Sequence, residues 1–211
     1  MLSTWIKGLQ SFFIPNHRTT VPILFVIGPS GAGKTALSHQ VESELGFLHI
    51  DIDQRHGPEV YGLHEVWDRF INDFDIVAVA AAIRAQMTGR HAGVVLSLPS
   101  GRVLTRRHIN TAVSAGIVTV LLWGNEELCR AARRAREQLA GRELNEQQYE
   151  EKNRPAYNCY ATAEYDDVRI CTFFQDGLRV PIESLLNDVR QRLAYECTEQ
   201  QFTVSAEAGV S

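Results

Sequence analysis

Short apolar runs alternate with amphipathic stretches along most of the chain. Five runs predict strands, at residues 23–27, 47–51, 93–97, 117–122 and 168–174. The first is apolar on both faces and rich in branched residues, which is typical of a buried parallel strand. Helices are predicted between the strands and after the last one, at 34–45, 74–88, 105–114, 126–139, 146–161 and 181–194. This order predicts one α/β domain, a five-stranded parallel sheet with helices on both faces.

Both ends of the chain depart from this alternation. Residues 1–20 carry apolar side chains at helical spacing, at Leu2, Trp5, Ile6, Leu9, Phe12 and Phe13. They predict an amphipathic N-terminal helix or arm, either packed on the body or in weak contact with a membrane or partner. Residues 197–211 are small and polar, which predicts a flexible tail. The domain itself is predicted to span residues 21–196.

Composition narrows the class of protein. The 211 residues are 45% hydrophobic and carry a net charge of -4, which suits one soluble domain and argues against a nucleic-acid partner. The four cysteines are far apart and lack the spacing of a zinc site, which favours a reduced, cytoplasmic protein. The longest apolar run, 76–83, is shorter than the roughly 20 residues that cross a bilayer, so no transmembrane segment is predicted. We expect a monomer or a weak dimer.

Residues 28–35 read Gly-Pro-Ser-Gly-Ala-Gly-Lys-Thr and match G-x-x-x-x-G-K-[ST] at every fixed position. Glycines let backbone N–H groups converge on phosphate oxygens, and the following helix adds positive potential. Lys34 would reach the β- and γ-phosphates, and the Thr35 hydroxyl would bind Mg²⁺. The motif predicts ATP and Mg²⁺ as cofactors. The assigned nucleotide-binding residues are Gly28, Pro29, Ser30, Gly31, Ala32, Gly33, Lys34, Thr35 and Ala36.

Two carboxylates follow at the end of the second predicted strand. Alternation along a strand puts Asp51 and Asp53 on one face, toward the edge of the sheet where ligands bind. Asp51 is predicted to organise Mg²⁺, and Asp53 to orient or deprotonate an acceptor hydroxyl. A solvated strand end is the alternative reading.

Arginines cluster on the predicted helix 126–139. Arg130, Arg133 and Arg134 share one face by their i, i+3, i+4 spacing, and a break at Gly141 separates this helix from the next. Such an arm is typical of a lid, predicted here at about 130–157, whose arginines close onto a transferring phosphate. The alternative is a solvated face with ion pairs to Glu126, Glu127 and Glu137.

The phosphate loop, followed by the strand that ends in Asp51 and Asp53, resembles the shikimate kinase and gluconate kinase group of P-loop kinases. The order continues with residues 93–101, where shikimate kinases carry a glycine-rich substrate loop. Residues 118–122 and the arginine helix match the fourth strand and the lid. Residues 151–157, ending in Arg154-Pro-Ala-Tyr157, are similar to the R-x-x-x-Y segment of the family. The resemblance covers about residues 22–193.

The resemblance implies a P-loop kinase-like three-layer fold with a helical lid, and an ATP-dependent phosphotransferase that acts on a hydroxyl of a small metabolite. It implies catalytic roles for Lys34, Asp53 and Arg134. Arg133 would cover the nucleotide. The acceptor would contact Asp53, Arg69, Gly101 and Arg154, and the metal would be held by Thr35 and Asp51.

The sequence also departs from the family pattern. Pro99-Ser100-Gly101 stands where shikimate kinases have three glycines, and the segment around Arg69 matches their arginine motif poorly. Two alternatives therefore stay open. One is a nucleotide-binding regulatory module without kinase activity, and the other is a nucleoside monophosphate kinase with a base-reading pocket in residues 54–75.

Overall fold

The computed structural model describes residues 21–52, 70, 73–87, 89 and 91–208, with side chains described as far as residue 195. Five strands and six α-helices alternate along these residues. The strands are β1 (Ile23–Ile27), β2 (Phe47–Asp51), β3 (Gly93–Ser97), β4 (Ile117–Trp123) and β5 (Arg169–Cys171). The helices are α1 (Lys34–Leu45), α2 (Ile76–Gln86), α3 (Arg106–Ser114), α4 (Glu126–Leu139), α5 (Glu146–Tyr160) and α6 (Ile182–Ala208), and a 3-10 turn at Ala163–Tyr165 precedes β5.

The five strands form one sheet in the order β2-β3-β1-β4-β5, and every pairing is parallel. β1 therefore lies at the centre, where Ile23 is opposite both Val94 of β3 and Ile117 of β4. All five residues of β1 are buried, as a central parallel strand requires. The chain leaves β1 directly into the phosphate loop.

Two apolar clusters cover the two faces of the sheet. One contains Phe25 of β1 with residues of α2 and α3, and the other contains Val26 with residues of α1 and α6. Successive residues of β1 belong to opposite clusters because side chains alternate across a strand. The predicted three-layer arrangement is confirmed.

Several element boundaries differ from the prediction. Helix α2 begins at Ile76 rather than residue 74, since the Asp75 carboxylate caps it by accepting a hydrogen bond from the Ala78 N–H. Strand β5 ends at Cys171 because the chain then folds into a hairpin, with an antiparallel bridge between Phe173 and Arg179. Helix α6 continues to Ala208, beyond the predicted end at residue 194.

Other predictions lie outside the described residues. They are the N-terminal arm at 1–20 and the predicted site residues Asp53 and Arg69, which follow β2 in the sequence. The assigned domain limits, 21–196 with a tail from 197, stay predictions.

Candidate active site

The phosphate loop lies at the carboxyl end of β1 and is closely packed by backbone. Gly28, Gly31 and Gly33 all have positive φ angles, of 136°, 89° and 102°. A Cβ on Gly31 would lie 1.9 Å from the carbonyl oxygen of Cys129 in α4, and one on Gly28 would lie 2.2 Å from that of Leu122. The first two glycines are therefore required by space as well as by conformation.

Lys34 opens helix α1 and turns back over the loop. Its ammonium donates hydrogen bonds to the carbonyl oxygens of Gly28 at 2.8 Å and Pro29 at 3.0 Å. Thr35 is half-buried and Ala36 exposed in the same first turn of α1. The positive charge, the hydroxyl and the N-terminal N–H groups of a helix thus meet at one place.

Asp51 is the last residue of β2 and is half-buried, opposite Ser97 of β3. Strands β2, β3 and β1 run parallel, so the carboxyl end of β2, with Asp51, lies at the same edge of the sheet as the loop. A carboxylate and a threonine hydroxyl are hard oxygen donors of the kind that Mg²⁺ prefers. The partner predicted with Asp51, Asp53, lies outside the described residues.

Asn153 of α5 contacts the phosphate loop, and the sequence interpretation missed it. Its side-chain oxygen accepts a 2.6 Å hydrogen bond from the Ser30 N–H, and its amide nitrogen donates to the carbonyl of Tyr149 at 2.7 Å. The residue is 1% exposed. Asn153 stands four positions before Tyr157. In an R-x-x-x-Y segment that position is the arginine, so asparagine replaces arginine there.

The loop after β3 also reaches the phosphate loop. The hydroxyls of Ser100 and Ser30 lie 2.7 Å apart, and Ser100 is buried. The neighbouring Gly101 is exposed, and a Cβ built on it would lie 3.8 Å from Cγ of Lys152. Lys152 on α5 is thus a cation beside Gly101, which is a predicted acceptor contact. Lys152 was not identified from the sequence.

Arg154 lies on a different face of α5 from Asn153. It pairs with Glu150 on its own helix, and its side chain is 66% exposed. It lines a surface depression with Gln147, Glu151 and Asn158. The structure therefore brings Asn153 to the phosphate loop, and not Arg154.

Three arginines of α4 are engaged with carboxylates. Arg130 pairs with Glu126 at 2.8 Å and with Glu150 of α5 at 2.5 Å, and Arg134 pairs with Glu146 of α5. Arg133 pairs with Glu137 at 2.6 Å. The ion pairs to Glu126 and Glu137 are those expected for the alternative, a solvated helix face. The ion pairs to α5 hold the two helices of the predicted lid together.

Arg179, in the hairpin after β5, is another cation beside the loop that was not predicted. It donates a 2.7 Å hydrogen bond to the Gly31 carbonyl and stacks over the ring of Phe173, with 4.8 Å between guanidinium carbon and ring centroid. A Cβ built on Gly33 would lie 3.3 Å from one of the guanidinium nitrogens of Arg179. The contacts fix the guanidinium at the rim of the loop.

Buried hydroxyl and thiol groups surround the loop on the side of α4 and α5. Burial raises the pKa of Tyr149 to about 12, and burial also raises the pKa of Tyr157 and of the Cys129 thiol. These groups stay neutral near pH 7. Among the described residues, Lys34 and Arg179 are cations that donate hydrogen bonds to carbonyl groups of the loop.

Curated proteins similar in sequence are shikimate kinases. The shikimate kinase of Actinobacillus pleuropneumoniae serotype 5b (strain L20) is 30% identical over 111 residues, which are 46% of this chain and 56% of that protein. The shikimate kinase of Actinobacillus succinogenes (strain 130Z) is 27% identical over the same length, 46% of this chain and 55% of that protein. The match thus spans about half the length of these relatives. No family model matches the chain.

Solved structures agree in fold. A gluconokinase from Sinorhizobium meliloti 1021 superposes with a TM-score of 0.51 at 18% identity, covering 88% of this chain and 99% of that one. A sugar kinase from Janibacter sp. HTCC2649 gives 0.52 at 19% identity, over 82% and 95% of the two chains.

The chain resembles the shikimate kinase and gluconate kinase group. The predicted fold class, an α/β P-loop kinase fold with a five-stranded parallel sheet, is confirmed. Across the described residues, no helix combines the length and the apolar character that crossing a membrane requires.

Proposed function

We propose that this kinase-like chain is a Mg·ATP-dependent phosphotransferase that acts on a hydroxyl of a small metabolite. One observation carries the proposal. A complete phosphate-loop motif forms the tight turn between the central strand and α1, with Lys34, Thr35 and the Asp51 strand end at the same edge of a P-loop kinase sheet. Ligands bind at this edge in open parallel sheets.

The residues proposed to bind the nucleotide differ in charge and therefore in role. The N–H groups of the loop and the start of α1 bind phosphate oxygens, and Lys34 moves from its two loop carbonyls to the β- and γ-phosphates. Thr35 and Asp51 would hold Mg²⁺, which would offset phosphate charge. Arg179, fixed at the Gly31 carbonyl, adds a cation at the outer rim of the nucleotide site.

The acceptor site is proposed between the ends of β2 and β3 and helix α5. Asp53 would orient the acceptor hydroxyl, with Arg69 and Gly101 as further contacts. Lys152, beside Gly101, supplies a cation on the α5 side, and it replaces Arg154 as our first candidate there because Arg154 is turned toward Glu150.

The arginines of the lid would act by exchanging carboxylate partners for phosphate. Arg133 and Arg134 are bound to Glu137 and Glu146, so their guanidinium groups reach a phosphate only after releasing these carboxylates. A phosphate carries more charge than a carboxylate and accepts the same paired hydrogen bonds. The proposal is that Mg·ATP drives this exchange.

The test is release of ADP from Mg·ATP across a panel of sugar acids, shikimate-like acids, other hydroxylated metabolites, nucleosides and nucleotides. We expect one class to stimulate ADP release in the wild type and in the Glu127→Gln control, whose exposed carboxylate lies at the start of α4. Lys34→Ala should abolish the stimulation. Stimulated turnover that survives in Lys34→Ala would contradict the assignment.

A regulatory module is the second candidate, and Asn153 favours it. An asparagine occupies the arginine position of the family segment, and its amide is bound into the phosphate loop. A module of this kind would bind ATP tightly yet show no acceptor-stimulated ADP release with any compound of the panel. Nucleotide-stimulated turnover would favour the nucleoside monophosphate kinase instead.

A further inference from the structure

A cluster of two histidines and a glutamate joins helix α1 to strand β2. One ligand atom from each of His39, Glu42 and His49 can be chosen so that all three lie within 4.8 Å of one another. His39 and Glu42 are three residues apart on α1 and share a helix face, while His49 comes from the neighbouring strand. The proposed phosphotransfer uses none of them.

The three residues are already in contact. Nδ1 of His39 lies 3.4 Å from Oε2 of Glu42, and the Glu42 Oε1 accepts a 3.3 Å hydrogen bond from the backbone N–H of His49. The two imidazole rings meet edge to face, with 4.7 Å between their centroids. Glu42 is therefore shared between both histidines.

His49 is held in place by a buried partner. Its Nε2 lies 2.8 Å from the Ser97 hydroxyl, which lies 2.8 Å from the hydroxyl of Ser38. Metal-binding histidines characteristically use one ring nitrogen for such a partner, which fixes the orientation of the ring.

We propose that His39, Glu42 and His49 form a binding site for a divalent transition metal of the Zn²⁺ type. Two imidazoles and one carboxylate are a common three-ligand set for Zn²⁺, with water in the fourth position. Imidazole donors favour such ions over Mg²⁺, which prefers oxygen. The site is thus chemically distinct from the Mg²⁺ position proposed at Thr35 and Asp51.

The geometry allows the ligands to close on a metal. Tetrahedral bonds of about 2.1 Å place donor atoms about 3.4 Å apart, so donor atoms of these side chains need to approach one another by up to about 1.4 Å. The His39 side chain is 63% exposed and that of Glu42 42% exposed, so both are free to change rotamer. His49 is the rigid ligand on which they close.

The cysteine spacing predicts no zinc site, whereas the site proposed here uses histidine and glutamate ligands. The proposed ligands come from a helix and the next strand, with the α1–β2 turn at Gly46 between them. A metal there would link α1, which begins at Lys34 of the phosphate loop, to β2, which ends at Asp51.

The test is Co²⁺ titration of the tag-free, chelator-treated full chain without nucleotide, followed by visible absorption. We expect one Co²⁺ with a tetrahedral spectrum, and an affinity at least about tenfold weaker in His39→Ala. His91→Ala, an exposed histidine outside the cluster, is the matched control and should bind like the wild type. Zn²⁺ should raise the Tm of the wild type and His91→Ala, but not that of His39→Ala.

Equal Co²⁺ affinity in the wild type and His39→Ala would overturn the proposal, as would a sulfur-to-cobalt charge-transfer band that assigns binding to cysteine. Equal Tm values of the metal-free proteins would show that His39→Ala is folded. Lys34→Ala should keep its Co²⁺ affinity, so the metal site is tested independently of the phosphotransferase proposal.

Discussion

Gly31 shows how one residue joins the phosphate loop to the helix above it. Its φ is 89°, and a Cβ built on it would lie 1.9 Å from the carbonyl oxygen of Cys129. The loop therefore has no room for alanine at this position. Gly31→Ala should combine backbone strain with displacement of α4, at a cost of about 2–4 kcal/mol in the free energy of unfolding. Urea denaturation measures this cost.

Gly141→Ala is the matched control for that prediction. Gly141 also has a positive φ, 69°, but a built Cβ meets nothing within 4 Å. Gly141→Ala should therefore lower the free energy of unfolding only by the backbone strain, about 1–2 kcal/mol. Equal losses in the two variants would show that contact with α4 is unimportant.

Asn153 should control nucleotide affinity through charge. Asn153→Asp keeps an acceptor for the Ser30 N–H but places a carboxylate beside the loop that is proposed to bind phosphates. We expect ATP affinity, measured by calorimetry, to fall at least about tenfold, since like charges repel strongly where water is excluded. Asn158→Asp, on an exposed part of the same helix, should change affinity little.

The motif could be predicted from sequence, whereas the residues that surround it could be predicted only in part. The signature fixes Gly28 to Thr35 by type and spacing. Helical periodicity could have separated Asn153 from Arg154, because Tyr149, Ala156 and Tyr160 mark the buried face on which residue 153 lies. Arg179 carried no such signal, because it reaches the loop from an irregular hairpin.

At the scale of elements, helices α4 and α5 are joined by charges at their surfaces. Arg130 and Arg134 of α4 pair with Glu146 and Glu150 of α5. Surface pairs of this kind each contribute about 0–1 kcal/mol and weaken with salt. The helix pair is thus suited to rearrange when a more highly charged ligand arrives.

A second ion pair links α3 to the segment before β5 and should make stability depend on pH. The Arg106 guanidinium donates hydrogen bonds of 2.6 and 2.7 Å to the two carboxylate oxygens of Asp167, which lowers the pKa of Asp167. A carboxyl with a lowered folded pKa stabilises the fold above its unfolded pKa, about 3.9, and loses this contribution as pH falls through the folded value.

The free energy of unfolding of the wild type should therefore fall more steeply below about pH 4 than that of Asp167→Asn. The difference should not exceed about 1 kcal/mol, because both side chains are partly exposed. Asp176→Asn, at an exposed turn, should follow the wild type. Parallel pH profiles for the wild type and Asp167→Asn would contradict the role of this pair.

Strand and helix order could be predicted because each element has its own pattern, while element ends depend on contacts. Residues 23–27, 34–45 and 93–97 match the observed elements residue for residue. Strand β5 is shorter than its apolar run because Thr172 and Phe173 enter the hairpin, and the Thr172 hydroxyl donates to the Trp123 carbonyl. Such long-range contacts leave no local pattern.

At the scale of the whole molecule, the sheet separates two cores that share the same strands. Val95 and Leu96 are neighbours on β3, both 0% exposed, and they belong to opposite clusters. Leu96→Ala should cost about 2–5 kcal/mol and Val95→Ala about 1–3 kcal/mol. Each should shift one unfolding transition seen alike by circular dichroism and tryptophan fluorescence, since both cores depend on one sheet. Two separate transitions would show that the faces unfold independently.

The central place of β1 has a consequence for how the chain is made. Residues 23–27 leave the ribosome before both of their strand neighbours, which are β3, at residues 93–97, and β4, from residue 117 onward. Strand β1 therefore stays without its second neighbour while about 90 further residues are synthesised. Because distant pairings are slow to form, nascent chains of this protein should depend on chaperones until β4 emerges.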